Sequence, residues 1–284
     1  MKQRIITGVI FAVLCLAVIF LSHTFIYPLT LCVLCVVGVT EMLKCIGSLS
    51  NPFMSIPSLL YAVICPTVAM NYRYGVLMAT TLGFMFLLLT MLIFANEKVK
   101  TEKICTTFVM VAYITISFVS LIRLRYITTE PGTNAGATVG QYIYLLVFIA
   151  AWVTDTFAYF TGFFFGKHKL CPKISPKKTI EGSIGGVLFC VIAFMVYGFA
   201  ASKICNITPN YTGLAFVGLL MSALAQLGDL LASVIKRTYG IKDYGKLFPG
   251  HGGVLDRFDS VLLLAPFLLA LVEDAQFMQL LFII

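Results

Sequence analysis

Long uninterrupted apolar runs dominate this chain, and they decide what it can fold into. Of its 284 residues, 60% are apolar and 11% are charged, where a soluble domain carries about a quarter charged residues. Too little polar surface remains to coat a globule in water, so the bilayer has to be the solvent for most of the chain. A transmembrane barrel would alternate polar and apolar side chains along each strand. The runs here are continuous, which predicts helices that satisfy their own backbone groups within each span. The expected fold is an all-α integral membrane protein with about nine transmembrane helices, its active site lying in cytoplasm-facing loops and helix ends.

The runs and their breaks place the spans at about 5–22, 26–43, 57–70, 75–94, 105–122, 141–164, 183–201, 212–235 and 258–272. Pro28, Pro57 and Pro172 fall near span ends, where a missing N–H is tolerated. The first run follows Lys2 and Arg4 in the manner of a secretory signal, but no small-x-small cleavage site precedes Ser22-His23-Thr24-Phe25. It reads as a retained first span. Residues 1–140 are then an N-terminal scaffold of about five helices, and residues 141–284 a catalytic region of about four. Residues 127–140 read as a flexible external loop. Asn206-Ile207-Thr208 and Asn210-Tyr211-Thr212 are glycosylation sequons on that same side. The nine cysteines are scattered, mostly inside apolar runs. Cys32 and Cys35 form a CxxC in mid-span, where cysteine behaves as a small hydrophobe rather than a zinc or redox ligand.

The charge distribution orients the spans. With the N-terminus in the cytoplasm, 16 of the 20 lysines and arginines face inward; Arg73, Arg123, Arg125 and Lys203 face outward. Both polar stretches, at 164–182 and 236–257, then face the compartment that holds nucleotides. The expected location is the cytoplasmic (inner) membrane. A net charge of +8 in such a protein reflects topology and lipid headgroups, not nucleic acid.

The chemistry concentrates late in the eighth span. Gln226, Asp229, Ser233, Lys236 and Arg237 recur at helical spacing and share one face. A carboxylate inside a span costs about 2.5–3.5 kcal/mol on insertion scales, so Asp229 is read as functional, with a structural Asp–Lys pair as the bland alternative. The following loop holds Lys242, Asp243, Lys246 and His251, with glycines at 250, 252 and 253 that permit close approach and expose N–H donors. Asp256, Arg257 and Asp259 lead into the ninth span, and the two aspartates, three residues apart, can point the same way. Carboxylates among cations in a glycine-rich loop suit a site for metal ions and a polyphosphate. A second stretch carries Asp155, Tyr159, Gly162 and Gly166 on one helical face. Ser175-Pro176-Lys177-Lys178-Thr179 follows it, offering hydroxyls and ammonium groups to phosphate.

The run Ser233-x-Ile235-Lys236-Arg237-x4-Lys242-Asp243-x-Gly245-x2-Phe248-Pro249-x-His251-Gly252-Gly253-Val254-x-Asp256-Arg257-Phe258-Asp259 resembles the signature of phosphatidate cytidylyltransferases, also called CDP-diacylglycerol synthases. No position departs from that pattern. The stretch from Asp155 to Gly182 resembles the family's other common block, so the likeness covers roughly residues 150–260. It implies transfer of a cytidylyl group from CTP to phosphatidic acid, giving CDP-diacylglycerol and pyrophosphate. It implies Asp229 and Asp256 as metal ligands, with Asp259, Asp243 and Asp155 as weaker candidates, and the expected catalytic residues are Asp229, Asp256, Lys236 and Arg257. Ser233, Arg237, Lys242, Lys246, His251, Gly252, Gly253, Ser175, Lys177, Lys178 and Thr179 are the expected substrate contacts. The expected cofactor is Mg2+, as one or two divalent ions with a monovalent ion as an option. The expected partners are the two substrates, the bilayer and a second copy of the chain. A polyprenol kinase shares part of the loop but not the whole motif. The Asp-Gly-x2-Ala-Arg motif of CDP-alcohol phosphotransferases and the Walker A loop are both missing from the sequence. A lipid transporter would not need clustered cytoplasmic aspartates.

Overall fold

The computed structural model describes residues 13–69, 74–94, 100–127, 135–204, 208–248 and 250–283. The apolar runs form α1 (Ile26–Ile46), α2 (Pro52–Ala69), α3 (Tyr74–Phe94), α4 (Thr101–Arg125) and α5 (Ala135–Phe165). A hairpin of β1 (Lys169–Cys171) and β2 (Ser175–Thr179) follows, then α6 (Ile180–Ile204), β3 (Thr208–Pro209) and α7 (Tyr211–Thr238). The chain closes with α8 (Leu255–Glu273), α9 (Ala275–Met278) and β4 (Phe282–Ile283), the last pairing antiparallel with β3. Among the described residues seven helices, α1 to α7, are long and apolar enough to cross a membrane by length and composition. Large apolar side chains point outward along them, among them Phe94, Ile184 and Phe199; in a bilayer such a surface meets acyl chains.

Several sequence expectations change in detail. The run at 5–22 lies partly outside the described residues, although residues 13–20 are helical. Pro57 is not at a span end: α2 begins at Pro52, capped by Asn51, whose side chain accepts the Phe53 N–H at 3.0 Å, so Pro57 and Pro66 both lie inside the helix. Residues 135–140, expected in a loop, belong to α5. Gly140 allows this because a Cβ there would collide with the Arg125 carbonyl. The hairpin was not anticipated; Lys169 pairs with Thr179 and Cys171 with Ser175, with an irregularity between. The first sequon, at Asn206, lies outside the described residues. In the second, Asn210 accepts the Gly213 N–H at 3.1 Å and donates to the Gln279 carbonyl at 3.1 Å, so this side chain caps α7.

The chain divides into two compact units, each made of two segments. The first comprises Met1–Arg123 with Thr238–Phe258. Within it, Gly47 ends α1 in a left-handed conformation (φ 72°), and Lys103 at the start of α4 donates to the Gly47 carbonyl at 2.6 Å. Ser48 and Thr107 share a buried hydrogen bond of 3.0 Å, and the Tyr27 hydroxyl donates to the Leu121 carbonyl. Cys35 contacts Thr115 while Cys32 points to Val63, so the CxxC sulfurs have different neighbours, as small core residues do. The first turn of α8 seats on α1 and α4: a Cβ on Gly38 would lie 3.1 Å from Leu255, and the rings of Phe118 and Phe258 lie 5.4 Å apart.

The second unit comprises Leu124–Arg237 with Asp259–Ile284. Here α5 and α6 press together through small residues. Gly182, Gly185 and Gly186 of α6 lie against Ala158, Thr161 and Thr154 of α5, the close backbone approach by which membrane helices associate. Thr154 donates to Ser222 at 2.9 Å, tying α5 to α7. A Cβ at Gly228 would lie 2.9 Å from the Asp259 carbonyl oxygen, so α7 crosses the start of α8 at van der Waals contact.

Candidate active site

The polar stripe of α7 is present as expected and is directed at its neighbours in the second unit. Gln226 is buried and bonded reciprocally to Ser183 of α6, accepting from its hydroxyl and donating to its carbonyl. One turn on, Asp229 forms an ion pair with Lys178 of β2, both side chains about a quarter exposed (26% and 25%). Ser233 is half-buried and Arg237 exposed at the end of the helix. Asp259 accepts from the Ser260 backbone N–H at 2.9 Å, and the Ser260 hydroxyl donates to Asp155 at 3.3 Å. Asp259 also feels the negative charges of Asp229 and Asp155 and the positive charge of Lys236. The second unit therefore gathers three carboxylates and at least two ammonium groups.

The hairpin is pinned at both ends. Glu181 accepts the backbone N–H groups of Lys167 (3.1 Å) and His168 (3.2 Å) and pairs with the His168 ring at 2.7 Å. The Thr179 hydroxyl accepts the Gly182 N–H at 3.1 Å and caps α6. A Cβ at Gly162, Gly166 or Gly182 would collide with Thr179, which explains why glycines surround it. Lys177 is exposed and Ser175 half-buried on β2. Only Lys178 of this stretch reaches a carboxylate among the described residues.

The glycine-rich loop belongs to the first unit. Gly250 (φ 80°) and Gly252 (φ 84°) adopt left-handed backbone conformations that side-chain-bearing residues rarely take. They form a tight turn: Phe248 donates to the Gly252 carbonyl at 2.9 Å and His251 to the Phe248 carbonyl at 2.8 Å. The Gly253 N–H donates to Asp256 at 3.0 Å. The same Asp256 oxygen accepts the Tyr244 N–H at 2.8 Å, so Asp256 closes the neck of the loop. Lys242, Lys246 and Arg257 are exposed, and His251 is half-buried.

One residue of this site escaped the sequence reading. Glu41, near the end of α1, is buried (5% exposed) and accepts the N–H groups of Val254 (3.0 Å) and Leu255 (2.9 Å), one on each carboxylate oxygen. It thus caps α8. The signal was present: Glu41 is the one acidic residue among the first 96, inside an apolar run, the criterion already applied to Asp229.

Comparison with known proteins agrees with these features. A profile described as the cytidylyltransferase family matches residues 2–274. A phosphatidate cytidylyltransferase of Staphylococcus haemolyticus is 34% identical over 272 residues, covering 94% of this chain and 97% of the relative. Proteins of the same name from Staphylococcus aureus (strain COL) and Staphylococcus epidermidis (strain RP62A) are 32% and 33% identical over 273 residues, with the same coverage. With the profile spanning nearly the whole chain and the site motifs in place, the chain belongs to the cytidylyltransferase family.

Proposed function

We propose that the chain transfers a cytidylyl group from CTP to phosphatidic acid, forming CDP-diacylglycerol and releasing pyrophosphate for phospholipid synthesis. The observation that carries this is full-length similarity to proteins named phosphatidate cytidylyltransferase, 34% identical over 94% of the chain in the first case. A lipid phosphate oxygen attacks the α-phosphorus of CTP and pyrophosphate departs in line. Both reactants are polyanions, so bringing them together is the main obstacle, and positioned cations address it. Lys236, Arg257, Arg237, Lys242 and Lys246 neutralise phosphate oxygens; His251 and Ser233 add polar contacts. Lys178 can move from Asp229 to a phosphate once a substrate brings competing negative charge. No strong base is required, because the lipid phosphate is already ionised at neutral pH. Purified protein given labelled CTP and phosphatidic acid should yield a liponucleotide on thin-layer plates; no product with either substrate at saturation would overturn the reading.

The donor set suits Mg2+. Magnesium is usually held by one or two carboxylates with substrate phosphate and water completing its shell. Asp229, Asp256 and Asp259 are the carboxylates proposed to hold it, as one or two ions. When bound, it neutralises charge on the triphosphate and the leaving pyrophosphate. Exhaustive chelation should abolish transfer and Mg2+ alone should restore it; full activity in the chelated enzyme would remove the metal from this account.

The nine-span topology, with the N-terminus and both polar stretches in the cytoplasm, remains part of the proposal. α8 is the ninth span in this reading; it carries Asp256, Arg257 and Asp259 at its start and Pro266 within. Support comes from the first unit, where the end of α1 with Lys44, the start of α4 with Lys103 and the 238–254 loop gather at one end. All three were assigned inward by charge. Single cysteines at exposed Lys173 and Lys246, in a variant lacking the native cysteines, should resist an impermeant reagent in intact cells and react after permeabilisation. Rapid labelling from outside at either position would reverse the topology. A homodimer in the inner membrane, implied by the family, completes the proposal and is checked by the mass of the detergent-solubilised protein.

A further inference from the structure

We propose that Glu41 is a positioning residue for the nucleotide site, holding the glycine-rich loop and Asp256 in their working arrangement from within the first unit. The inference rests on the cytidylyl-transfer reading for its kinetic consequence, but not for its structural one.

Glu41 is delivered by an apolar helix, yet both its carboxylate oxygens are engaged by consecutive backbone N–H groups at the start of α8. Those N–H groups lack partners within their own helix, and the positive end of the helix favours an anion there. The loop is shaped around this carboxylate. A Cβ on either Gly245 or Gly253 would collide with it, so glycine at both positions is explained by Glu41. Asp256, one residue beyond Leu255, ties Tyr244 to Gly253 through a single oxygen. Two carboxylates therefore close the neck of a loop whose body presents Lys246 and His251. Removing the Glu41 charge frees the first turn of α8, and with it the orientation of Asp256.

Glu41→Gln keeps the volume and one acceptor oxygen but turns an NH2 group towards a backbone N–H. The variant should remain folded, while amide exchange of residues 244–256 in the detergent-solubilised full chain accelerates at least about tenfold, as expected for losing a charge-assisted hydrogen bond. kcat/KM for CTP should fall by a similar factor, mostly in kcat, with KM for phosphatidic acid unchanged. A purely structural role would instead lower the thermal midpoint and leave the kinetic constants of the surviving enzyme intact. Gly245→Ala, which presses on the same carboxylate from the loop side, should reproduce the exchange and kinetic signature, and serves alone if Glu41→Gln does not fold. Wild-type exchange in the loop, or wild-type kcat/KM for CTP, overturns the proposal. If the wild-type protein itself makes no liponucleotide, the functional reading fails, and the exchange measurement still decides the role of Glu41.

Discussion

Asp256→Asn is expected to lower cytidylyl transfer at least about 100-fold, the scale on which removal of one key electrostatic group is felt, while Asp274→Asn leaves it near the wild-type level. Both residues flank α8, so composition cannot rank them. Asp256 stands in the first turn, between the glycine pair and Arg257, and accepts from Tyr244 and Gly253. Asp274 is exposed beyond the far end, next to Glu273. Asparagine retains a side-chain oxygen that can accept the same two N–H groups, so the neck of the loop can survive the substitution. What disappears is the negative charge that a hard cation prefers. The charge of Asp256 also acts unfavourably on Glu41, so the variant should insert and purify normally. Assays at saturating Mg2+ and CTP, with protein matched by immunoblot, make the comparison. Equal activity of the two variants would place the catalytic centre elsewhere.

Most of the span pattern was legible because apolar continuity is a property of neighbours in sequence. Helices α1 and α3 to α7 fall where the runs place them. The exceptions have local causes. Pro57 was taken as a boundary, yet Asn51 supplies a cap ahead of it, and α2 tolerates both internal prolines. Residues 135–140 look loop-like because they are mostly small, and the missing side chain of Gly140 is what lets it lie on the Arg125 backbone.

The sequence shows which polar residues cluster in the candidate site more clearly than what each one contacts. The glycine-rich motif marked Gly250, Gly252, Gly253 and Asp256 together. Only coordinates reveal that two of the glycines make a left-handed turn while Gly253 yields its N–H to Asp256. Thr179 shows the same limit: its position beside lysines is plain in the sequence, and its cap on α6 is not. Glu41 was missed because the first five spans were read as scaffold, although its partners lie 213 and 214 residues away. No spacing rule reaches that far, but a lone carboxylate in an apolar run is signal enough.

The ion pair of Asp229 with Lys178 raises the alternative that Asp229 merely neutralises a lysine, and a double substitution separates the two roles. Asp229→Asn should reduce transfer at least about 100-fold if the carboxylate serves the proposed metal. It also leaves the Lys178 ammonium, whose nitrogen is shielded from solvent, without its counter-charge. Stranding one partner of such a pair destabilises more than removing both. Lys178→Met should cost activity through weaker CTP binding, seen in KM more than kcat. The informative protein is Asp229→Asn combined with Lys178→Met. If Asp229 is only a counter-ion, the double variant regains the activity of Lys178→Met, because nothing charged is left unpaired. If Asp229 acts on substrate or metal, thermal stability recovers but activity stays at the Asp229→Asn level. We expect the second outcome, with the Mg2+ concentration for half-maximal activity raised in the double variant and unchanged in Lys178→Met. Recovery of transfer together with stability would assign Asp229 to structure and leave Asp256 and Asp259 as the acidic residues of the site.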